Sequence, residues 1–146
     1  TAVTLAQSGA DVVIIDCDLR KPKVAEYLGI EGGAGLTDVL INRARVGDVM
    51  LPWGQRSLYV LPAGKVPPNP SELLGSAQMH TLLEVLERDF DVVLCDAPPL
   101  LPVTDAAILA KATSGAIVVV ASGQTNRHQL DGAMDALQTV GAKVAG

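Results

Sequence analysis

The sequence predicts an α/β fold with a mainly parallel sheet and helices on both faces, and two observations predict it. Two short apolar runs, residues 12–15 and 92–95, each end on a carboxylate, Asp16 and Asp96. Uninterrupted runs rich in β-branched residues suit strands buried on both faces of a parallel sheet. Between such runs lie stretches with apolar residues at helical spacing, long enough to be the crossovers that parallel strands require.

The elements follow in order. Thr1 to Ser8 reads as the last turns of a helix stopped by Gly9, a residue favoured just past a helix end. Residues 11–16 form a strand, and Pro22 and Gly29 then bracket a short helix. Gly32, Gly33 and Gly35 make a turn before a brief helix from Leu36 to Ile41. Leu58 to Pro62 is a strand. Pro67, Pro68 and Pro70 hold the next segment in extended and turn shapes until helix restarts at Ser71 to Leu74. From Ala77 to Arg88 a helix carries Met79, Leu82, Leu83, Val85 and Leu86 at helical spacing. The second acidic strand spans 91–96. Thr104 caps a helix through Ala110, and Ala116 to Ala121 is a further buried strand. Asn126 to Thr139 is an amphipathic helix with Leu130, Ala133, Met134 and Leu137 on one side and Thr125 as its cap, and Lys143 to Ala145 begins one more strand.

The 146 residues fit one domain, 1–146, which at this size buries roughly 70% of its extended surface. A formal net charge of -5 argues against nucleic acid as a partner, since affinity for phosphate backbones rests on clustered Lys and Arg. The dense basic stretch is Arg20, Lys21 and Lys23, directly after the first acidic strand. Cys17 and Cys95 lack metal-ligand spacing and read as small buried apolar residues. No apolar run approaches the ~20 residues of a membrane span, and no signal peptide precedes the first element, so a cytoplasmic location is expected.

Alternation along a strand sends Asp16 and Asp18 the same way and Cys17 the other. Two close carboxylates repel unless a cation or donor lies between them, and a hydrated magnesium ion or Arg20 would serve. The plainer alternative has Asp16 capping the next helix and Asp18 pairing with Arg20. Asp96, followed by Ala97, Pro98 and Pro99, ends its strand in the Walker B pattern, in which the carboxylate holds a magnesium water. Its plainer alternative is a stiff strand exit with Asp96 bonded to neighbouring amides. A G-x-x-x-x-G-K-[ST] phosphate loop does not occur in these residues; Gly64 and Lys65 are followed by Val66. Tyr27 and Tyr59 read as packing residues, His80 and His128 as exposed residues without metal partners, and Trp53 as closing a loop over the core.

Residues 13–22, containing Asp16, Asp18, Arg20 and Pro22, resemble the Walker A′ motif of the bacterial tyrosine kinases of exopolysaccharide and capsule export. Asp96 to Pro99 resembles their Walker B motif, and Pro67 to Leu74 a proline-rich element between the two; order and spacing agree over nearly the whole chain. The resemblance implies a three-layer P-loop NTPase-like domain and Mg-ATP-dependent autophosphorylation on a C-terminal tyrosine cluster. It also implies homo-oligomers and a membrane activator, or a fused membrane segment, that sets polysaccharide length at the inner face of the plasma membrane. By position, Asp96 would hold the magnesium water, Asp16 and Asp18 would orient the metal and activate the attacking hydroxyl, and Arg20 would support them. The family's phosphate loop lies immediately upstream of the helix whose tail is Thr1 to Ala6. The chain is therefore expected to be cut from a longer protein and to be inactive alone. Two other functions stay open: a partition- or septum-type ATPase of the same deviant Walker class, and a non-catalytic scaffold.

Overall fold

Val12–Asp16 form the first strand, β1, and the first compact unit, Thr1–Ala97, is built around it. The computed structural model describes residues 1–54, 57–101 and 104–146. Strand β2 is Leu51–Pro52, β3 Leu58–Leu61 and β4 Val92–Asp96, in the spatial order β2-β3-β1-β4. β1 lies parallel to both β3 and β4, and β2 runs antiparallel along β3. The sheet is thus mixed but mainly parallel.

On one face of β1, Val12 packs with Ala6 of helix α1 (Ala2–Gln7) and with Leu58, and Ile14, Trp53, Val92 and Leu94 gather around them. On the other face Val13 and Ile15 are fully buried. Cover on both faces is what an apolar run without polar alternation needs. Gly9, at φ 102°, turns the chain from α1 into β1 in a conformation that side chains disfavour.

Helix α2 (Val24–Leu28) ends on Gly29 in the left-handed region, as the Pro22–Gly29 bracket predicts. Helix α3 (Leu36–Leu40) begins where Gly35 presses against the end of β3: the amides of Leu36 and Thr37 donate to the carbonyls of Pro62 and Ala63 at 2.7 and 2.9 Å. Two elements were not legible in the sequence, helix α4 (Val46–Val49) and the two-residue β2. Both are too short to show a period. Helix α5 (Pro70–Leu74) starts on a proline whose fixed φ suits a first helical turn. Helix α6 (Ala77–Asp89) is capped by Ser76, whose hydroxyl accepts the Met79 amide, and it buries Met79, Leu82, Leu83 and Leu86.

The second unit, Pro98–Gly146, holds helices α7 (Asp105–Ala112) and α8 (Arg127–Thr139), which pack on each other. Thr104 occupies the cap position of α7 but makes no side-chain cap bond. Asn126, not Thr125, caps α8: its side chain accepts the Gln129 amide while the Gln129 side chain accepts the Asn126 amide. Thr125 instead accepts the Ala121 amide, closing the turn before the cap.

The buried strand expected at Ala116 to Ala121 is not formed. A single parallel bridge joins Ala116 to Val144, and Ile117, Val119 and Val120 are 63, 89 and 48% exposed. β-propensity expresses packing against neighbours more than an intrinsic backbone preference. Here the pairing comes from the short stretch Lys143–Gly146, through amides at Ala116 and Val118. Among the described residues no helix is long and apolar enough to cross a membrane.

Candidate active site

β1 and β4 run in register to their last residues, so Asp16 and Asp96 are direct partners at the tips of adjacent strands. The ladder continues one step further, the Cys17 amide donating to the Asp96 carbonyl at 2.8 Å. The site stands beyond the carboxyl ends of parallel strands, where open α/β sheets bind ligands.

Asp16 is fully buried. One of its carboxylate oxygens accepts the amides of Lys23 and Val24 at 3.1 and 3.0 Å, and the other accepts the Asp18 amide at 3.2 Å. Asp16 therefore fastens the start of α2, as the plainer reading of the sequence holds, while also standing beside Asp96. Asp18 accepts the amides of Arg20 and Lys21 at 3.2 and 2.9 Å, tightening the loop that leaves β1. Asp96 lies at the exposed end of β4.

A neighbouring carboxylate is felt at Asp16 and at Asp96. Burial pushes the Asp16 carboxyl up; the amides of Val24, Asp18 and Lys23 pull it down, and the Asp96 charge pushes it further up. Asp96 is raised by burial and then by the Asp18 charge. Concentrated negative charge with oxygen donors fits a hard divalent cation. Among the described residues, no three His, Cys, Asp or Glu side chains form a metal site by themselves.

Arg20 follows Asp18 at the edge of this cluster, and its guanidinium Nη2 donates to Ser71 Oγ at 3.2 Å. Ser71 is a residue that sequence reasoning missed as part of the site. Its only signal was its place in the proline-rich element. Behind the carboxylates, a hydrogen bond with the Cys95 thiol, reinforced by burial, holds the Cys17 thiol protonated, well above the usual range. Cys17 is fully buried and Cys95 half-buried, and both are free thiols.

Other sequence expectations divide. His80 and His128 are exposed. Tyr59 packs edge-on against Phe90 with ring centroids 5.5 Å apart, but Tyr27 is 80% exposed and does not pack. The five-residue α2 buries only Val24, which leaves Tyr27 on its solvent side. Trp53 is half-buried against the core and donates its indole N–H to the Leu28 carbonyl at 3.0 Å. A separate cleft of about 420 Å³ between α3–α4 and α6 is lined by Val39, Arg45, Val46, Leu82 and Val85 among others, and no carboxylate lines it.

No protein-family model matches the chain. Tyrosine-protein kinase YwqD of Bacillus subtilis is 39% identical over 145 residues, 99% of this chain and 61% of that protein. The chain spans about three fifths of YwqD, CapB and CpsD and a fifth of the longer Ptk and Wzc. Among solved structures, the VpsO kinase domain superposes with a TM-score of 0.94 at 33% identity, over 99% of this chain and 71% of that one. The cell-division ATPase MinD of Pyrococcus furiosus superposes at 0.79 and 25% identity, over 99% of this chain and 61% of that one. One fold serves both kinase domains and MinD-type ATPases, but the higher sequence identity, 39 and 33% against 25%, sides with the former: the chain belongs to the bacterial tyrosine kinase family.

Proposed function

We propose that this chain is the greater part of the catalytic domain of a cytoplasmic protein-tyrosine autokinase that uses Mg-ATP. Both compact units serve that one domain. The observation that carries the reading is the in-register meeting of Asp16 and Asp96, with Asp18 close enough for its charge to be felt at Asp96.

Phosphoryl transfer depends on positioning and charge neutralisation more than on covalent work by the protein. In this reading Asp96 would hold a magnesium-bound water, and Asp16 and Asp18 would orient the metal. When bound, the cation neutralises charge on the phosphate oxygens. The tyrosine oxygen attacks the γ-phosphorus, the bond to the ADP oxygen breaks, and the hydroxyl proton passes to a carboxylate, a role this reading gives to Asp18. Asp16 keeps the geometry by anchoring the loop and α2 through three amides. Arg20, at the rim, contributes positive charge for the nucleotide. The phosphate loop and the acceptor tyrosines belong to the full-length protein.

At the level of the cell, the kinase regulates exopolysaccharide or capsule polymerisation and export. It works as a homo-oligomer at the inner face of the plasma membrane, through a membrane activator of the chain-length-determinant type or a fused membrane segment.

Incubating the full-length protein with Mg-ATP tests the reading. Phosphotyrosine is expected, and Asp96→Ala is expected to abolish it with the fold intact. ATP hydrolysis without phosphotyrosine would assign the chain to partition- or septum-type ATPase activity instead. Neither activity would leave a scaffold.

A further inference from the structure

The proline-rich stretch has no part in the chemistry proposed above, yet its end is held by burial and by hydrogen bonds. Pro70 is buried at the first position of α5, and Leu74 at the other end of that helix is fully buried. Asn69 Nδ2 donates to the Glu72 carboxylate at 2.7 Å, and the Leu73 and Gly75 amides close the turn on Asn69 and Ser71. Pro67, Pro68 and Pro70 remove backbone freedom on the approach. Ser71 is thus presented on a rigid mount.

Arg20 is its opposite: an exposed, long side chain, tethered through its own backbone amide to Asp18. The bond from its guanidinium to Ser71 Oγ spans 51 residues of sequence and joins the loop after β1 to α5. A long cationic side chain gains a defined position from a partner mounted on a packed helix.

We propose that Ser71 is a positioning residue. Its hydroxyl, held in place by the proline-rich element, fixes the Arg20 guanidinium at the rim of the Asp16, Asp18 and Asp96 cluster, where it meets the anionic nucleotide. This rests on the kinase reading. It also gives the proline-rich element a task.

The test is a double-mutant cycle in the full-length protein, following phosphotyrosine formation at saturating and limiting Mg-ATP. Ser71→Ala lowers the maximal rate about 3- to 10-fold, the net range of one ordinary hydrogen bond, and changes the KM for ATP less than about twofold. Ser71→Thr, which keeps the hydroxyl, restores most of the rate. In an Arg20→Ala background, Ser71→Ala costs nothing further. An unchanged rate in Ser71→Ala, a Thr variant as slow as the Ala variant, or additive losses would each overturn the proposal. Thermal melting accompanies each variant, and Ser71→Cys, of similar size, replaces Ser71→Ala if that variant unfolds. A wild type that forms no phosphotyrosine removes the kinase reading by itself. The same cycle on ATP hydrolysis then judges Ser71: coupling upholds the positioning role, and absence of coupling or of hydrolysis ends it.

Discussion

Asp16 and Asp96 face each other across adjacent parallel strands, one wholly buried and fastened to three amides, the other at the exposed strand end. Burial is the first cost of charge at either group, to which the Asp96 charge adds at Asp16 and the Asp18 charge adds at Asp96. Both carboxyls hold their protons to higher pH than in an unfolded chain, where the value is 3.8. Between that value and the raised ones, the folded state binds more protons than the unfolded state, so stability falls as pH climbs through the window. The deficit persists at neutral pH.

Asp96→Asn therefore trades activity for stability. Phosphotyrosine formation should fall by at least about 100-fold, as expected when a charged group of a phosphoryl-transfer site is neutralised. The melting temperature at pH 7 should rise, and the gain should vanish below pH 3.8, where the wild-type carboxyl is protonated in both states. A lower melting temperature at neutral pH would contradict the cost that burial and the Asp18 charge place on the ionised Asp96.

Asp16 should behave differently from Asp96, because its oxygens are engaged by backbone. Asp16→Ala strands the amides of Lys23, Val24 and Asp18 and should destabilise the first unit by about 2 kcal/mol in denaturant unfolding. Asp16→Asn keeps an acceptor oxygen and should cost less. Hydrogen exchange at Lys23 and Val24 should quicken in the Ala variant. Unchanged protection there would mean that α2 does not depend on Asp16.

Gly35 admits no side chain. A Cβ there would lie 2.0 Å from the Pro62 oxygen and 2.7 Å from the Gly64 nitrogen, both backbone atoms that cannot swing aside. Gly35→Ala should cost at least about 3 kcal/mol, since α3 and the end of β3 must part. Gly33→Ala, with nothing within 4 Å of the added methyl, is the control that should melt near the wild-type temperature.

The cap of α8 offers a test in the second unit. Asn126→Ala removes the side-chain oxygen that accepts the Gln129 amide, leaves the backbone half of the reciprocal pair in place, and should lower stability by about 1 kcal/mol. Thr125→Ala, which removes only a bond to the Ala121 amide, should cost less. The reverse order would restore Thr125 as the cap.

Much of the first unit was legible because its signals are local. The run ending at Asp16 is buried on both faces as its composition demands, and Gly29 ends α2 where the sequence stops being helical. Residues 116–121 carry an equally strong run, yet three of its residues are largely exposed, because burial depends on what neighbours a run rather than on its own composition. The acidic pair was legible for the same local reason as β1 and β4. The Arg20–Ser71 bond was not: its partners lie 51 residues apart, and neither shows the other in its own surroundings. Tyr27 misled because aromatic residues usually bury, and a five-residue helix offers too little apolar surface to hold a ring.

Trp53 is the sole tryptophan of the chain, and its indole is tied to the carbonyl that closes α2, the helix whose opening amides rest on Asp16. Nature has thereby installed an intrinsic fluorophore one short helix away from the acidic strand ends. Its emission offers a label-free optical gauge of whatever occupies them.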